Sequence, residues 1–529
     1  MFGAHGDNKM DYAGDSSDAS IEATYQKKTP LEHILLRPDT YVGSIEMQDS
    51  KLWVWNEELA AMEFRAITYV PGLYKIFDEI LVNAADNYQR DRTMNKIELT
   101  IDPEAGSISV WNNGKGIPVV IHQEYNIYVP ELIFGHLLTS SNYDDSKKKV
   151  TGGRNGYGAK LANVFSKRFI VESADSERML RFRMEWTDNM SRHSAPVIEK
   201  LKRKENYTCV TFFPDLARLG MTSLDRDIVS LMTKRAYDLA GCTGKNVKVV
   251  LNGKLLDIKN FSAYVDLYLG GKALPKIYEA VSPRWEVAVS VSDGIFQQVS
   301  FVNSICTSKG GTHVNHVTDQ LVTAISGLIA KKHKKLEVKT SQIKQHIWVF
   351  VNCLVENPCF DSQTKENMTL KPSAFGSKCE LSESLIKSFL NCGIIDHVVA
   401  FANAKNQAQL GNKVKAKKTA KIFVPKLEDA NDAGTRKSRD CTIILTEGDS
   451  AKALAMAGIE IIGRDKYGVF PLRGKLLNVR EASAKQLMNN EEIQSLMKIL
   501  GIQPNKTYQD LDELRYGSVM IMTDQDMDG

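Results

Sequence analysis

The sequence predicts a multidomain mixed α/β protein with both α/β and α+β portions, and three observations predict it. A glycine-rich stretch, Thr151–Phe165 (TGGRNGYGAKLANVF), leads into an apolar-periodic run. Before it, an amphipathic helix over Leu73–Asn87 is followed by two alternating strands, Lys96–Ile101 and Ser107–Trp111. Near the end, a buried strand (Thr442–Leu445) runs into Thr446–Ala451 and a helix, and a second strand (Ser518–Met522) runs into Asp524–Gly529.

Length and composition bound the classes open to the chain. At 529 residues it is long enough for about three domains. Hydrophobic content of 43% and charged content of 25% are ordinary for a globular protein. No apolar run reaches the roughly 18 residues of a membrane span, and no signal-peptide core is visible, so no membrane partner is expected. The net charge is only +4, so any nucleic-acid surface must be a local patch. Eight cysteines without a C-x-x-C pair suggest reduced thiols in an intracellular protein. His313 and His316 form an H-x-x-H pair, but no cysteine or acid sits nearby, so they read as structural or polar surface.

Residues 1–24 are Gly, Ser and Asp rich and read as a disordered tail. Leu31, Ile34 and Leu35 suit a short helix before the turn residues Pro38 and Gly43. In the Leu73–Asn87 helix, Leu73, Ile76, Phe77, Ile80, Leu81 and Ala84 make the buried face. Glu79, Asn83 and Asn87 recur every four residues as one polar stripe. A solvated edge is the bland reading of such a stripe. Here it carries amides in place of Lys or Arg; an amide oxygen can ligate Mg²⁺, and a carboxylate one turn away can take a proton from water.

The glycine stretch reads as a phosphate cradle, since glycines let backbone N–H groups approach an anion and a helix N-terminus adds a favourable dipole. A flexible turn is its alternative. It is not a P-loop, because Ala159 precedes Lys160 and Leu161 replaces the magnesium-binding hydroxyl; it is not G-x-G-x-x-G either. Phe169–Asn252 reads as further strands with one helix, Ile228–Ala240, and Asn246–Leu256 as a hairpin with an Asn-Gly turn. A second domain begins near Asp257, with strands at Glu286–Ser292 and Gln297–Val302, a helix from Thr312 to about Ala330, and a buried strand at Trp348–Val355. The run Lys331, Lys332, His333, Lys334, Lys335 is a solvated face or a phosphate-contacting loop. Gly411–Gly434 reads as a linker. Asp524, Asp526 and Asp528 at alternate positions suit a hard cation.

The helix with Glu and Asn four apart, then N-x-G-x-G at Asn112–Gly116, then the glycine-rich lid resemble the GHKL ATPase fold. FDEILVNAADN, WNNGKGIP, LLTSSNYDD and TGGRNGYGAKLAN are similar to the eukaryotic type IIA DNA topoisomerases, from about Tyr25 to the last residue. Thr446–Ala451 with D-x-D-x-D-G resembles the TOPRIM metal site. The resemblance implies a GHKL ATPase sandwich over 25–256 and a transducer of ribosomal-protein-S5-like fold over 257–410. A linker over 411–439 and the front of a TOPRIM parallel-sheet domain over 440–529 would follow.

The resemblance also implies ATP and Mg²⁺ as cofactors, double-stranded DNA as partner, a homodimer closed by ATP, and nuclear localisation. Glu79 would be the general base and Lys365 would stabilise charge on the γ-phosphate, with Gln363 and Thr364 beside it. Asn83 would hold Mg²⁺, with Asn87 on the same stripe. Asn112 would read adenine, in place of the aspartate usual in GHKL proteins. Ser140, Ser141 and Asn142 would contact ribose and phosphate. Gly153, Arg154, Asn155, Gly156, Tyr157, Gly158, Ala159 and Lys160 would wrap the phosphates. Tyr25 would reach the partner subunit's nucleotide. Glu447, Asp524, Asp526 and Asp528 would form the cleavage metal site. Lys331–Lys335 and the Arg473, Lys475, Asn478 loop would meet DNA, and the nucleophilic tyrosine is expected beyond Gly529. A GHKL chaperone or repair clamp and a primase-like TOPRIM enzyme are the alternatives; the acids speak against the first, the GHKL half against the second.

Overall fold

The computed structural model describes residues 25–140, 144, 146–153, 156–270, 274–334, 336–413, 422–473, 482, 484–503 and 506–523. Its contacts divide the chain into two units. The first takes the described residues through Ala288, with Gln298–His316 and Val349–Glu380; the second takes Val289–Gln297, Val317–Trp348 and those from Leu381 onward.

The first unit opens with helix α1 (Pro30–Leu36). Thr29 caps it: its hydroxyl accepts from Glu32 N at 3.2 Å while the Glu32 carboxylate accepts from Thr29 N at 2.8 Å. Strands β1 (Gln48–Asn56) and β2 (Ala61–Tyr69) form an antiparallel hairpin. Helix α2 (Pro71–Arg90) follows directly, with proline in its first turn where no N–H is needed. All six of its predicted apolar positions are buried.

Strands β3 (Lys96–Asp102), β4 (Ser107–Asn112), β5 (Ser166–Asp175), β6 (Leu180–Thr187), β7 (Arg192–His193), β8 (Val197–Lys200), β9 (Tyr207–Pro214), β10 (Lys248–Leu251) and β11 (Lys254–Leu255) make one sheet. Its order is β11-β10-β3-β4-β9-β5-β6-β7, with β8 on β6, and only β10–β3 is parallel. The β10–β11 turn places Asn252 and Gly253 at φ 46° and 79°, as the Asn-Gly pair predicts. Helices α3 (Val129–Gly135), α4 (Gly158–Val164) and α5 (Arg226–Thr243) complete this layer, and α2 packs against α4, α5 and β4. Helix α6 (Phe261–Leu269) packs against α5, and strand β12 (Ile277–Ser282) follows it.

Next come β13 (Trp285–Val291), β14 (Gln297–Val302), β15 (Ile305–Cys306), β16 (Gly310–Gly311), α7 (Thr312–Lys332), α8 (Thr340–Lys344), β17 (Ile347–Cys353) and β18 (Asn367–Met368). Asn303 and Ser304 turn β14 into β15 with positive φ. His313 is buried and shares a hydrogen bond with the Thr307 hydroxyl at 3.0 Å, and His316 bonds the Cys379 carbonyl at 2.9 Å. Both are structural, as expected.

Helices α9 (Glu383–Phe389) and α10 (Ile395–Lys413) lead into the C-terminal part of the second unit. The stretch Glu383–Ala404 has the length and mean hydropathy of a span, which the sequence reading did not register. It carries Lys387 and Asp396, breaks at Gly393 (φ 95°), and buries Leu385, Phe389, Ile394 and Val398 within the protein.

Strands β19 (Thr442–Glu447), β20 (Tyr467–Leu472) and β21 (Ser518–Met522) form a parallel sheet with β19 in the centre. Helix α11 (Gly448–Ile462) follows β19, and α12 (Ala484–Asn489) and α13 (Glu491–Leu500) precede β21. One expectation is corrected here. The described second half of the predicted linker, from Ile422 to Gly434, is not a linker. It pairs Glu428 with Val469 and buries Val424, Ala430 and Ala433 in the core of this sheet. Asp429 ties it down by accepting from Arg515 at 2.5 Å and from the Tyr516 hydroxyl.

The first unit also buries charge. Arg235 on α5 is fully buried; its Nε donates to Asp78 on α2 at 2.6 Å and its Nη2 to the Ser304 carbonyl at 2.6 Å. Removing one partner of such a pair strands the other charge. Arg235→Met should therefore cost about 3–5 kcal/mol, seen as a lowered first unfolding transition in calorimetry. An unshifted transition would mean that Asp78 finds water or another cation.

Candidate active site

Helix α2 sets the site out along one face. Glu79, Asn83 and Asn87 follow one another a turn apart and line a single cavity with Asn112 at the end of β4. The same cavity is lined by Ser140, Gly153, Gly156, Tyr157, Gly158, Ala159, Lys160, Gln363 and Lys365. Thirteen predicted site residues, from segments up to 286 positions apart, thus converge.

At the base of the cavity Glu79 is buried between two ammonium groups. Lys75, one turn earlier on α2, lies 2.7 Å from Glu79 Oε1; Lys365 lies 3.1 Å from Oε1 and 3.4 Å from Oε2. Burial alone would raise this carboxyl, but Lys365 and Lys75 together outweigh it and hold it at about 2. Burial works against the Lys75 ammonium, but Glu79, and then Asp78 at 3.8 Å, which also pairs with Arg235, more than offset it and raise Lys75. Lys365 sits at φ +62°, a left-handed conformation uncommon for a non-glycine residue, and its N–H bonds the Ser362 carbonyl at 3.2 Å.

The glycine loop closes over this carboxylate. A Cβ on Gly158 would lie 2.2 Å from Glu79 Oε2, so only glycine fits there. Lys160, also buried, donates to the Thr139 carbonyl at 2.6 Å and has no carboxylate partner among the described residues. Burial draws it down to about 8. A phosphate would supply the missing counter-charge. Asn83 makes no side-chain hydrogen bond among the described residues, which leaves its amide oxygen open to a cation. Asn112 accepts from Asn87 Nδ2 at 2.7 Å and donates to the Thr208 carbonyl at 3.5 Å. Its oxygen keeps a second lone pair for a base amino group.

Other predicted residues lie elsewhere. Thr364 does not line the cavity; its hydroxyl bonds Ser362 and Glu366. Tyr25 is 80% exposed and does not line it either. Lys331, Lys332, His333 and Lys334 are exposed at and beyond the end of α7, and Arg473 is exposed after β20. Glu447 is exposed at the C-terminal end of β19. Ser141, Asn142, Arg154, Asn155, Lys335, Lys475, Asn478, Asp524, Asp526 and Asp528 lie outside the described residues. Among the described residues no three His, Cys, Asp or Glu side chains gather as a metal site.

Sequence reasoning missed Lys75, Asp78, Asp86 and Arg235. Lys75 had a signal, being one turn before Glu79 on the same stripe. The others sit among apolar positions and have none.

Two sequence families match: "Histidine kinase-, DNA gyrase B-, and HSP90-like ATPase" over residues 68–218, and "DNA gyrase B" over residues 260–419. The ATPase region of Saccharomyces cerevisiae topoisomerase II is 51% identical, with a TM-score of 0.70, over 73% of this chain and 100% of that one. The chain belongs to the type II topoisomerase family. The ATPase and transducer domains of topoisomerase II from Balamuthia mandrillaris are 50% identical, with a TM-score of 0.70, over 73% of this chain and 99% of that one. DNA topoisomerase 2-alpha of Gallus gallus is 59% identical over 96% of this chain, and DNA topoisomerase 2 of Pisum sativum 58% identical over 96%. The chain spans only 33% and 35% of those two proteins, about a third of each.

Within this ATPase family, the Gly158 contact gives a direct test. Gly158→Ala should push the loop off Glu79 and weaken binding of a non-hydrolysable ATP analogue about tenfold or more, in line with overpacking costs of roughly 1–3 kcal/mol. Unchanged affinity by titration calorimetry would show that the loop does not seat against Glu79.

Proposed function

We propose that this chain is the ATP-operated portion of a type II DNA topoisomerase, in which ATP closes a homodimer around a DNA duplex. The observation that carries it is the buried Glu79 carboxylate held between Lys75 and Lys365 beneath a glycine loop. The relatives' names support the reading, and the whole enzyme's reaction is strand passage.

Glu79 is the base that takes a proton from the attacking water. Paired with two ammonium groups it is a weak base. A γ-phosphate presented beside it competes for Lys365, whose side chain stabilises the charge on the transferring phosphoryl group. Once Lys365 turns to phosphate, Glu79 keeps only Lys75 and becomes more basic. Catalytic competence thus follows occupancy of the site. Lys160 and the Gly153–Ala159 backbone cradle the phosphates, Ser140 faces the ribose side, and Asn112 with Asn87 behind it reads the adenine edge. Asn83 is the residue that would hold Mg²⁺, which when bound neutralises phosphate charge.

The remaining assignments belong to the same reading. Residues 25–256 act as the ATPase domain, 257–410 as the transducer, and 440–529 as the front of a TOPRIM domain. Lys331–Lys335 and the Arg473–Asn478 loop face DNA, Glu447 with Asp524, Asp526 and Asp528 bind the cleavage cations, Tyr25 reaches the partner subunit, and the protein works in the nucleus.

Glu79→Gln should bind the ATP analogue normally and lose about 10²–10⁴ in hydrolysis, the span of a general base. Light scattering should show this variant dimerising with ATP. Near-normal turnover would remove Glu79 from the role, and a mass unchanged by nucleotide would remove the dimer gate. A second test uses the sign of the electrostatics. Glu79 is depressed by its lysines, so Lys75→Met must raise its pKa. The acid limb of the ATPase pH profile should then move to higher pH, with Lys75→Arg largely restoring it. An acid limb that stays in place would mean that Lys75 does not govern the base.

A further inference from the structure

One buried carboxylate near the site has no part in the chemistry above. Asp86 lies on α2, three residues beyond Asn83 and one before Asn87, and is 1% exposed. Its two oxygens accept from consecutive backbone N–H groups at the mouth of the glycine loop: Gly152 N to Oδ1 at 2.6 Å and Gly153 N to Oδ2 at 2.7 Å. Short charge-assisted bonds of this kind are the strong ones.

The surroundings agree. A Cβ on Gly152 would meet Val82 Cγ1 on α2 and Ile305 Cγ1 on β15, each at 2.9 Å. From the β14–β15 turn, Asn303 donates to the Thr151 carbonyl at 3.2 Å. The entry of the loop is therefore pressed flat and held from both sides, while Gly153 and Gly156–Lys160 line the cavity. Arg90, one turn further along α2, and Lys365 both favour the ionised carboxylate against its burial, which raises Asp86 to about 6. It is ionised at neutral pH and can accept both bonds at once.

We infer that Asp86 is a positioning residue: it clamps the pivot of the glycine loop onto the helix that carries Glu79, Asn83 and Asn87, so that one rigid element sets both sides of the nucleotide site. The inference rests on the ATP reading above. Its energetic content is that the loop beyond Gly153 need not be ordered anew for each nucleotide. An asparagine has one acceptor oxygen and turns an N–H₂ towards the other amide, so Asp86→Asn breaks half the clamp and opposes donor to donor.

The test uses the whole 529-residue chain. For Asp86→Asn, ATP KM should rise about tenfold, the range expected for stranding one buried amide, while kcat at saturating ATP stays within about threefold. In nucleotide-free protein, hydrogen exchange over 150–160 should speed up while exchange over 226–243 on α5 stays as in the original chain. If Asp86→Asn does not fold, Gly152→Ala, which lifts the same pivot by its Cβ, should give the same split. Unchanged KM and unchanged loop exchange would overturn the inference. So would a loss confined to kcat, which would place Asp86 in the chemistry. Because exchange is read without nucleotide, failure of the ATP reading would leave that arm intact and show itself as absent turnover in the unmodified chain.

Discussion

The ion cluster under the glycine loop is the constraint on which the first unit depends. Among the described residues, Lys75, Lys365 and Arg235 are buried in ion pairs with Asp78 and Glu79, and the buried Asp86 carboxylate interacts with Lys365 as well. Those three cations and three carboxylates balance, which leaves Lys160, buried with the Thr139 carbonyl as its partner and no carboxylate among the described residues, as the positive charge still to be answered. Burying unanswered charge is costly. A fold keeps such a charge where something else brings the missing negative charge, and a phosphate group in the cavity that Lys160 lines would do so. Lys365 and Lys75 also keep Glu79 ionised while both stand beside it, because together they override its burial.

Helix α2 is the element that turns this cluster into a site. Its apolar face is fixed by core packing, so the positions of its polar residues are fixed as well. Lys75, Glu79 and Asn83 lie on successive turns of one side, while Asp78 and Asp86 point to neighbouring elements that must hold still: α5 through Arg235, and the glycine loop through Gly152 and Gly153. A helix shift of one residue would rotate each of these groups by about 100° and break all the contacts together. Packing precision in the core is thereby converted into precision at the reacting atoms.

What could be read from the sequence follows the range of the interaction. The α2 stripe, the alternating strands, the Asn-Gly hairpin and the strand–acid–helix junction at Glu447 are local patterns, and the structure has them where the periodicity puts them. The cavity lining was legible through motif resemblance. Lys75 was legible in principle, since an i, i+4 Lys–Glu pair is a local signal. Asp86 was not: it breaks an apolar face and reads as noise until the backbone of Gly152 is known to lie above it. Nor was the pairing of Arg235 with Asp78, which depends on how α5 crosses α2. The linker misreading has the same origin. Charged and turn-forming residues from Ile422 to Gly434 look unstructured, but Val424, Ala430 and Ala433 occur at positions that only the neighbouring sheet reveals as buried.

In the second unit, strand direction alone decides what can assemble. Thr446 is level with Met522 and with Pro471 across the sheet, and Glu447 is level with Leu472. Because all three strands are parallel, their C-terminal ends stand at one edge, and the chain leaves β21 where Glu447 leaves β19. Had β21 run antiparallel, its end would lie a strand length away, roughly 17–20 Å for five or six residues. The edge that carries Glu447 also carries Arg473, one residue past β20, and both are exposed there. Parallel α/β sheets bind ligands at that edge for this reason: strand ends converge there while the backbone within the sheet is already satisfied.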